Sequence, residues 1–301
     1  MDLKQLEYIV AIAEEQSISR AADKLYITQS ALNQQLLRLE KELGLPLFSR
    51  IKHTMIPTYA GRIYLETARN MLQQKEETYK ILHDISDMKR GEISLAYTPE
   101  QGSQMFARIY PIFHKKYPQF TFRISEARAK KMEILLEQGN VNLAATAYRE
   151  KKPQFNYLFS CPELLVLALP ISHPLAKLAG PESWKTFPPI DLSLLKEEAF
   201  IMLSHEARFR YFIDDLFSRA GFKPKILFEV TSTYTAVNMV KSQIAPAFFP
   251  QSYVDPNAPM VYFSLGEKLL WYRSLACRKG TYLSKAELYL AQIIQQDMED
   301  H

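Results

Sequence analysis

The sequence predicts an α/β chain with an all-α N-terminal part that ends in a short wing. Three observations lead there. Up to about residue 88 the apolar residues recur at three- and four-residue spacings, the helical period. From Glu92 onward, short β-rich runs alternate with amphipathic stretches, the pattern of repeated βα units. At 301 residues the chain also exceeds what one core usually needs, so several domains are expected. The opening MDLKQLEYIV has an early acidic residue and no cleavable apolar core, and no apolar run approaches membrane length. A cytoplasmic protein with no membrane partner is therefore expected.

Residues 3–14 read as an opening helix with Leu3, Leu6, Val10 and Ala13 on one side. A short helix then starts at Ser19, whose hydroxyl is expected to cap the first turn, and it buries Ala21, Ala22 and Leu25. The alanines let a second helix cross closely, as in a helix-turn-helix. Thr28 is the expected N-cap of that second helix, whose stripe is Leu32, Leu36, Leu39 and Leu43. The stripe leaves Gln29, Ser30, Asn33, Gln34 and Arg38 exposed, most of them in the first turns, where a recognition helix meets base edges. Carboxamides can both donate to and accept from adenine, and serine can bond several bases. A solvated helix face explains any one of these residues as well, but not the whole unit at this spacing. Gly44 is the expected C-cap, Pro46 stops the helix, and Leu47 and Phe48 return to the core. SRIKHTMIPT, residues 49–58, has the length of a two-stranded wing.

Tyr59 to Met88 reads as a long helix with a four-three seam at Tyr64, Ala68, Met71, Lys75, Thr78, Leu82 and Ile85. The seam fits pairing with a second copy, and equally packing on its own chain. Lys89, Arg90 and Gly91 mark a break. Strands are expected at 92–97, 120–126, 141–147, 164–170, 199–203, 225–229, 260–264 and 270–277. Helices are expected at 104–116, 130–138, 208–220, 233–241 and 284–297, covering both faces of a parallel sheet.

The run S-x-S-x-A-A-x-x-L-x-x-T-Q-S-A-L, Ser17 to Leu32, followed by L-x-x-L-E-x-x-L-G-x-x-L-F-x-R, Leu36 to Arg50, closely resembles the N-terminal signature of LysR-type transcriptional regulators. Many matches at fixed spacing are more specific than an isolated short motif. Asn33 departs from the Ser or Thr usual there. The resemblance implies a winged helix-turn-helix over 1–58, a linker helix for dimerisation over 59–88, and an effector-binding domain over 91–301. It implies a periplasmic-binding-protein-like module of two lobes, 91–161 plus 266–301 and 162–265, supported more loosely by SHPLA (172–176) and RAGFKPKILFE (219–229). Asn142 stands where the family usually has Asp, and QIAPAFFP lacks a usual glycine.

The DNA-binding set expected on these grounds is Ser19, Arg20, Thr28, Gln29, Ser30, Asn33, Gln34 and Arg38, with Arg50, Lys52 and His53 on the wing at the backbone or minor groove. An effector should sit between the lobes, at strand C-terminal ends and helix N-termini. Its expected residues are Thr98, Glu100, Gln101, Gly102 and Ser103 after the first strand, and Arg128, Met202 and Ser204 by family position. Arg128 could hold a carboxylate, whereas Glu100 would oppose a simple anion. The expected partners are double-stranded DNA, an unknown small-molecule effector, and one or three further copies of the chain, as a homodimer or homotetramer. The alternative is an effector-independent regulator whose C-terminal lobes serve only oligomerisation.

Charge and reactive residues are consistent with this reading and argue against others. The net charge of +4 is compatible with nucleic acid without arguing for it. Local placement says more, since Arg20, Lys24, Arg38, Lys41, Arg50, Lys52 and Arg62 outnumber Asp23, Glu40 and Glu42 in the head. Cys161 and Cys277 make neither a zinc spacing nor a disulfide framework, and read as small buried or half-buried thiols. The six histidines give no HExxH, and no phosphate loop or GxSxG elbow occurs. His205 with Glu206, or Asp214 with Asp215, is read as solvated rather than as an acid-base pair. No metal, cofactor or catalytic residue is therefore expected. A solute-binding transport module would need export and would carry no N-terminal helix-turn-helix.

Overall fold

The computed structural model describes residues 2–52, 54–86, 90–180, 182–205, 207, 209–265 and 270–300. It begins with α1 (Leu3–Glu15), α2 (Ile18–Lys24) and α3 (Gln29–Leu43), followed by the antiparallel pair β1 (Phe48–Ile51) and β2 (Thr54–Pro57). α2 is capped two residues earlier than expected. Ser17, not Ser19, is its cap and accepts from the Arg20 amide, which frees Ser19 to face solvent. Thr28 caps α3 by accepting from the Ala31 amide at 3.2 Å, and Gly44 ends it with a φ of 69°. Ala21 and Ala22 are buried where α2 meets the core, together with Leu32, Leu36 and Leu39 of the stripe. Leu43 is exposed instead, because the stripe outruns the small core by one turn. On α1 the buried residues are Leu6, Ile9, Ala11 and Ile12, and Leu3 is exposed, so the face is rotated from the expected one.

Glu40 fixes the turn after α3. Its Oε1 accepts from the Leu47 amide at 2.7 Å and the Phe48 amide at 3.2 Å, so this carboxylate points inward. The chain then enters α4 (Tyr59–Ile85), capped by Thr58. Gly61 brings α4 close to the α3 turn: a Cβ there would lie 1.9 Å from the Leu47 carbonyl oxygen. Tyr64 and Ala68, two positions of the expected seam, are buried in the core of α1–α3. Tyr59, Ile63, Tyr79, Leu82 and Ile85 remain exposed along α4. Of the expected break at Lys89, Arg90 and Gly91, Lys89 lies outside the described residues, and Arg90 and Gly91 already belong to the next strand.

The rest is built from β3 (Arg90–Tyr97), α5 (Gln101–Lys116), β4 (Gln119–Glu126), α6 (Ala129–Glu137), β5 (Leu143–Tyr148) and β6 (Phe155–Tyr157). There follow β7 (Cys161–Pro170), α7 (Ser183–Thr186), β8 (Ala199–Leu203), α8 (Arg210–Arg219), β9 (Lys225–Val230) and α9 (Thr233–Lys241). Last come β10 (Ala247–Pro250), β11 (Met260–Phe263), β12 (Leu270–Arg278) and α10 (Lys285–Asp300). Of the expected 208–220 helix, Arg208 lies outside the described residues.

The sheets are mixed rather than parallel. β3 pairs in parallel with β4 and β5, but β12 runs antiparallel to β5, β6 and β7. In the second lobe β8 pairs in parallel with β9 and β10, while β10 and β11 are antiparallel to β7. One strand explains this. Residues 161–164 of β7 pair with β12 in the first sheet, and residues 165–170 pair with β10 and β11 in the second. A strand that passes from one lobe into the other enters against the direction set by the βα units. β10 was not expected because Pro246 and Pro250 bracket it, and proline is excluded from strand interiors. Pro246 precedes the strand and Pro250 is its last residue, and all of AFFP (247–250) is buried. Helices cover both faces of each sheet: α5 and α10 on one side and α6 on the other in the first lobe, α8 and α9 on opposite sides in the second. Cys161 and Cys277 are free and buried, and burial pushes the Cys277 thiol up to about 11. No helix is long and apolar enough to cross a membrane among the described residues.

Candidate nucleic-acid interface and inter-lobe cleft

The α3 stripe is buried, so the opposite face of the helix is left to water. Gln29, Ser30, Gln34 and Arg38 are exposed there, and Asn33 is half-buried. Ser30, Gln34 and Arg38 follow one another at four-residue steps, which aligns them on one ridge. Thr28 is exposed, but its oxygen is engaged in the cap and lies 3.2 Å from the Ser30 hydroxyl. Ser19 and Arg20 are exposed on α2, and Arg20 reaches back to the Glu15 carbonyl. Arg50 stands exposed on β1, and Lys52 occupies the wing turn with a φ of 47°. His53 lies outside the described residues.

Not every basic side chain in this region is available. Lys24 pairs with Glu14 at 2.8 Å and Glu15 at 3.3 Å, which removes it from the positive surface. Arg38, Arg50 and Lys52 form no ion pair among the described residues. The positive charge is thus concentrated on the far side of α3 and on the wing. Sequence reasoning overlooked Tyr26, which is 96 % exposed with a φ of 55° in the turn between α2 and α3. Its signal was available in its place between Leu25 and Ile27, outside the helical period, but tyrosine reads by default as a core residue.

The second site is a cavity of about 450 Å³ between the lobes. Thr98, Glu100, Gln101, Gly102 and Arg128 of the expected effector set line it; Ser103 does not, its hydroxyl donating to the Pro99 and Glu100 carbonyls. Met202 is buried in the core of the second lobe, and Ser204 is half-buried with its hydroxyl unpaired, neither on the cavity wall. The shift has a local cause. Ala207 and Phe209, a few residues later, reach the wall in their place, and Phe209 packs edge-on to Trp271.

The cavity also gathers charges that sequence spacing could not bring together. Arg108 on α5 and Asp297 on α10 form a two-point bridge at 2.6 and 2.7 Å. Glu163 on β7 accepts from the Trp271 indole at 2.9 Å and the Ser252 amide at 3.1 Å, with Arg273 3.8 Å away. Tyr253 reaches the cavity from the second lobe. Burial, and then the Glu100 carboxylate, push its hydroxyl well above the usual tyrosine range and keep it a donor.

Comparison with known proteins gives a consistent result. A family model described as "Bacterial regulatory helix-turn-helix protein, lysR family" matches residues 3–62, and one described as "LysR substrate binding domain" matches residues 86–299. A relative from Cyanophora paradoxa, named "Probable RuBisCO transcriptional regulator", is 30% identical over 258 residues, covering 84% of this chain and 77% of its own. Among solved structures, a full-length OxyR variant from Pseudomonas aeruginosa aligns with a TM-score of 0.73 at 21% identity, over 99% of this chain and 94% of that one. Full-length CbnR in complex with its target DNA aligns with a TM-score of 0.52 at 20% identity, over 99% and 100% of the two chains. At these identities the structures establish the fold they share with this chain.

Proposed function

The chain belongs to the LysR family of transcriptional regulators, with a helix-turn-helix DNA-binding domain and an effector-binding domain, and from that premise we propose how its residues divide the work. Gln29, Ser30, Asn33 and Gln34 read base edges in the major groove. Ser19, Arg20, Thr28 and Arg38 hold the flanking phosphates, and Arg50, Lys52 and His53 extend the contact along the wing. The observation that carries this is the clean division of α3, with its leucine stripe in the core and its carboxamide face in water.

Residues 1–58 act as the reading head, 59–88 as the linker, and 91–301 as the sensor. Two copies pair along the exposed apolar side chains of α4 as a homodimer, or as a homotetramer when dimers associate, since two heads bound together multiply affinity and specificity. A small molecule in the inter-lobe cleft, held among Thr98, Glu100, Gln101, Gly102 and Arg128, biases lobe closure. Closure then changes the spacing of the heads and the bend they impose on the operator.

The test is binding of the full-length protein to DNA from its own upstream region, against scrambled competitor at two salt concentrations. Selective, salt-sensitive binding supports the reading, and its absence for every upstream fragment sinks it. In the same assay Gln29→Ala is expected to weaken specific binding by about 1–3 kcal/mol and leave non-specific binding nearly intact. An equal loss of both would refute the base-reading role. Lys52→Ala is expected instead to weaken binding to all sequences alike, with the salt slope smaller by about one. An unchanged slope would take Lys52 off the phosphates.

A further inference from the structure

Glu100 stands at the N-cap position of α5, yet its carboxylate does not cap that helix. Thr98 does so, accepting from the Gly102 amide at 3.2 Å. The Glu100 carboxylate instead crosses to the second lobe and sits on the N-terminus of α9. One oxygen accepts from the Ser232 hydroxyl, and the other from the Tyr234 amide at 3.4 Å and the Tyr253 hydroxyl at 3.3 Å. Neighbouring residues bridge the same gap. Gln101 donates to Ser252, Gln104 to Tyr234, and Arg128 to the Thr231 carbonyl at 3.1 Å. The N-terminus of a helix, with its free amides and positive end of the dipole, is the natural place in this cleft for an anion. Here the chain's own carboxylate already occupies it.

The remaining charges of the cavity leave Glu100 distinct. Arg108 is bound to Asp297, Arg273 lies beside Glu163, and Arg128 is engaged with the Thr231 carbonyl across the gap. Among the described residues no basic side chain forms an ion pair with Glu100; hydroxyls and an amide are its partners. Its outward lone pairs therefore offer the cavity a carboxylate acceptor with no basic partner among the described residues.

We propose that Glu100 is the specificity-determining residue of the cleft: an internal anion that latches the lobes and excludes carboxylate effectors. The cleft then admits a molecule whose head group donates hydrogen bonds, an ammonium above all, with an apolar body against Trp271, Phe209 and Met105. The inference rests on the cleft being the effector site. An anion entering the wild-type cleft must first displace Glu100 from α9, whereas an ammonium adds to the carboxylate without breaking the latch.

Removing the internal anion should create a site for an external one. Full-length wild type, Glu100→Ala and Glu100→Gln are melted in sodium acetate and in sodium chloride of equal ionic strength. Glu100→Ala is expected to melt about 2–4 °C below wild type in chloride and to regain most of the loss in acetate. Wild type gains nothing from acetate, nor does Glu100→Gln, whose side chain still fills the place. Trp271 on the cavity wall gives the second readout. Its fluorescence in wild type should respond to benzylammonium at a concentration at least about tenfold lower than to benzoate, with the order reversed in Glu100→Ala. Equal effects of acetate on wild type and Glu100→Ala, no rescue at all, or wild type responding first to benzoate would each overturn the proposal. Selective DNA binding by the wild-type protein is measured separately, so failure of the latch and failure of the regulator reading are told apart.

Discussion

Lys80→Ala is expected to destabilise the protein by about 3–5 kcal/mol, because it strands a buried charge. Glu287 on α10 is 1 % exposed in its side chain, and the Lys80 ammonium on α4 lies 2.6 Å from its Oε1. Its other oxygen accepts from the Ser284 amide at 2.9 Å and the Ser284 hydroxyl at 3.1 Å. Those two neutral donors satisfy one oxygen and leave the charge uncompensated once Lys80 is gone. The comparison that isolates the cause is the double variant Lys80→Met with Glu287→Leu, which removes both charges and keeps the volume. It should recover most of the loss, since well-packed apolar replacements of a buried pair are often neutral. Denaturant melts of the three proteins decide it. A Lys80→Ala loss below about 1 kcal/mol would place this pair with ordinary surface bridges. Together with Tyr282 and Lys285 bonded to Asp84, the pair fastens α4 to the first lobe.

Gly61→Ala is expected to cost the head about 2–4 kcal/mol and to weaken DNA binding with it. The sign is informative, because alanine inside a helix normally stabilises by about 0.5–1 kcal/mol relative to glycine. Here the added carbon would sit 1.9 Å from the Leu47 carbonyl oxygen. That oxygen cannot step aside freely: it accepts from the Thr58 amide at 2.9 Å, and the Leu47 amide is tied to Glu40 at 2.7 Å. The helix that carries the linker and the turn that ends the reading helix would have to separate. A variant that melts higher than wild type would show that α4 can shift without cost.

The head was largely legible because its information is local. The caps at Thr28 and Gly44, the leucine spacing of α3 and the paired alanines of α2 each act within a few residues, and the structure keeps them. The errors were of one turn or less, as with the Ser17 cap, where two serines two residues apart offered the same chemistry. In the lobes, hydrophobic runs located most strands, but strand direction and the short buried β10 depended on partners far along the chain. Gln29, Ser30 and Gln34 could be named as exposed from periodicity alone, whereas Met202 could be placed in the cleft only by family position, and the structure buries it in its lobe.

The sequence by itself determined the family, the reading helix with its exposed carboxamides, and the order of helices and strands, because helix and strand periods and capping residues are properties of neighbours in the chain. Only the tertiary structure decided that Tyr26 stands in solvent, that Glu40 and Lys24 are withdrawn from the surface charge, and that Glu100 caps a helix in the opposite lobe. Those outcomes turn on which groups meet across tens or hundreds of residues, and a carboxylate takes its role from the donors that surround it after folding.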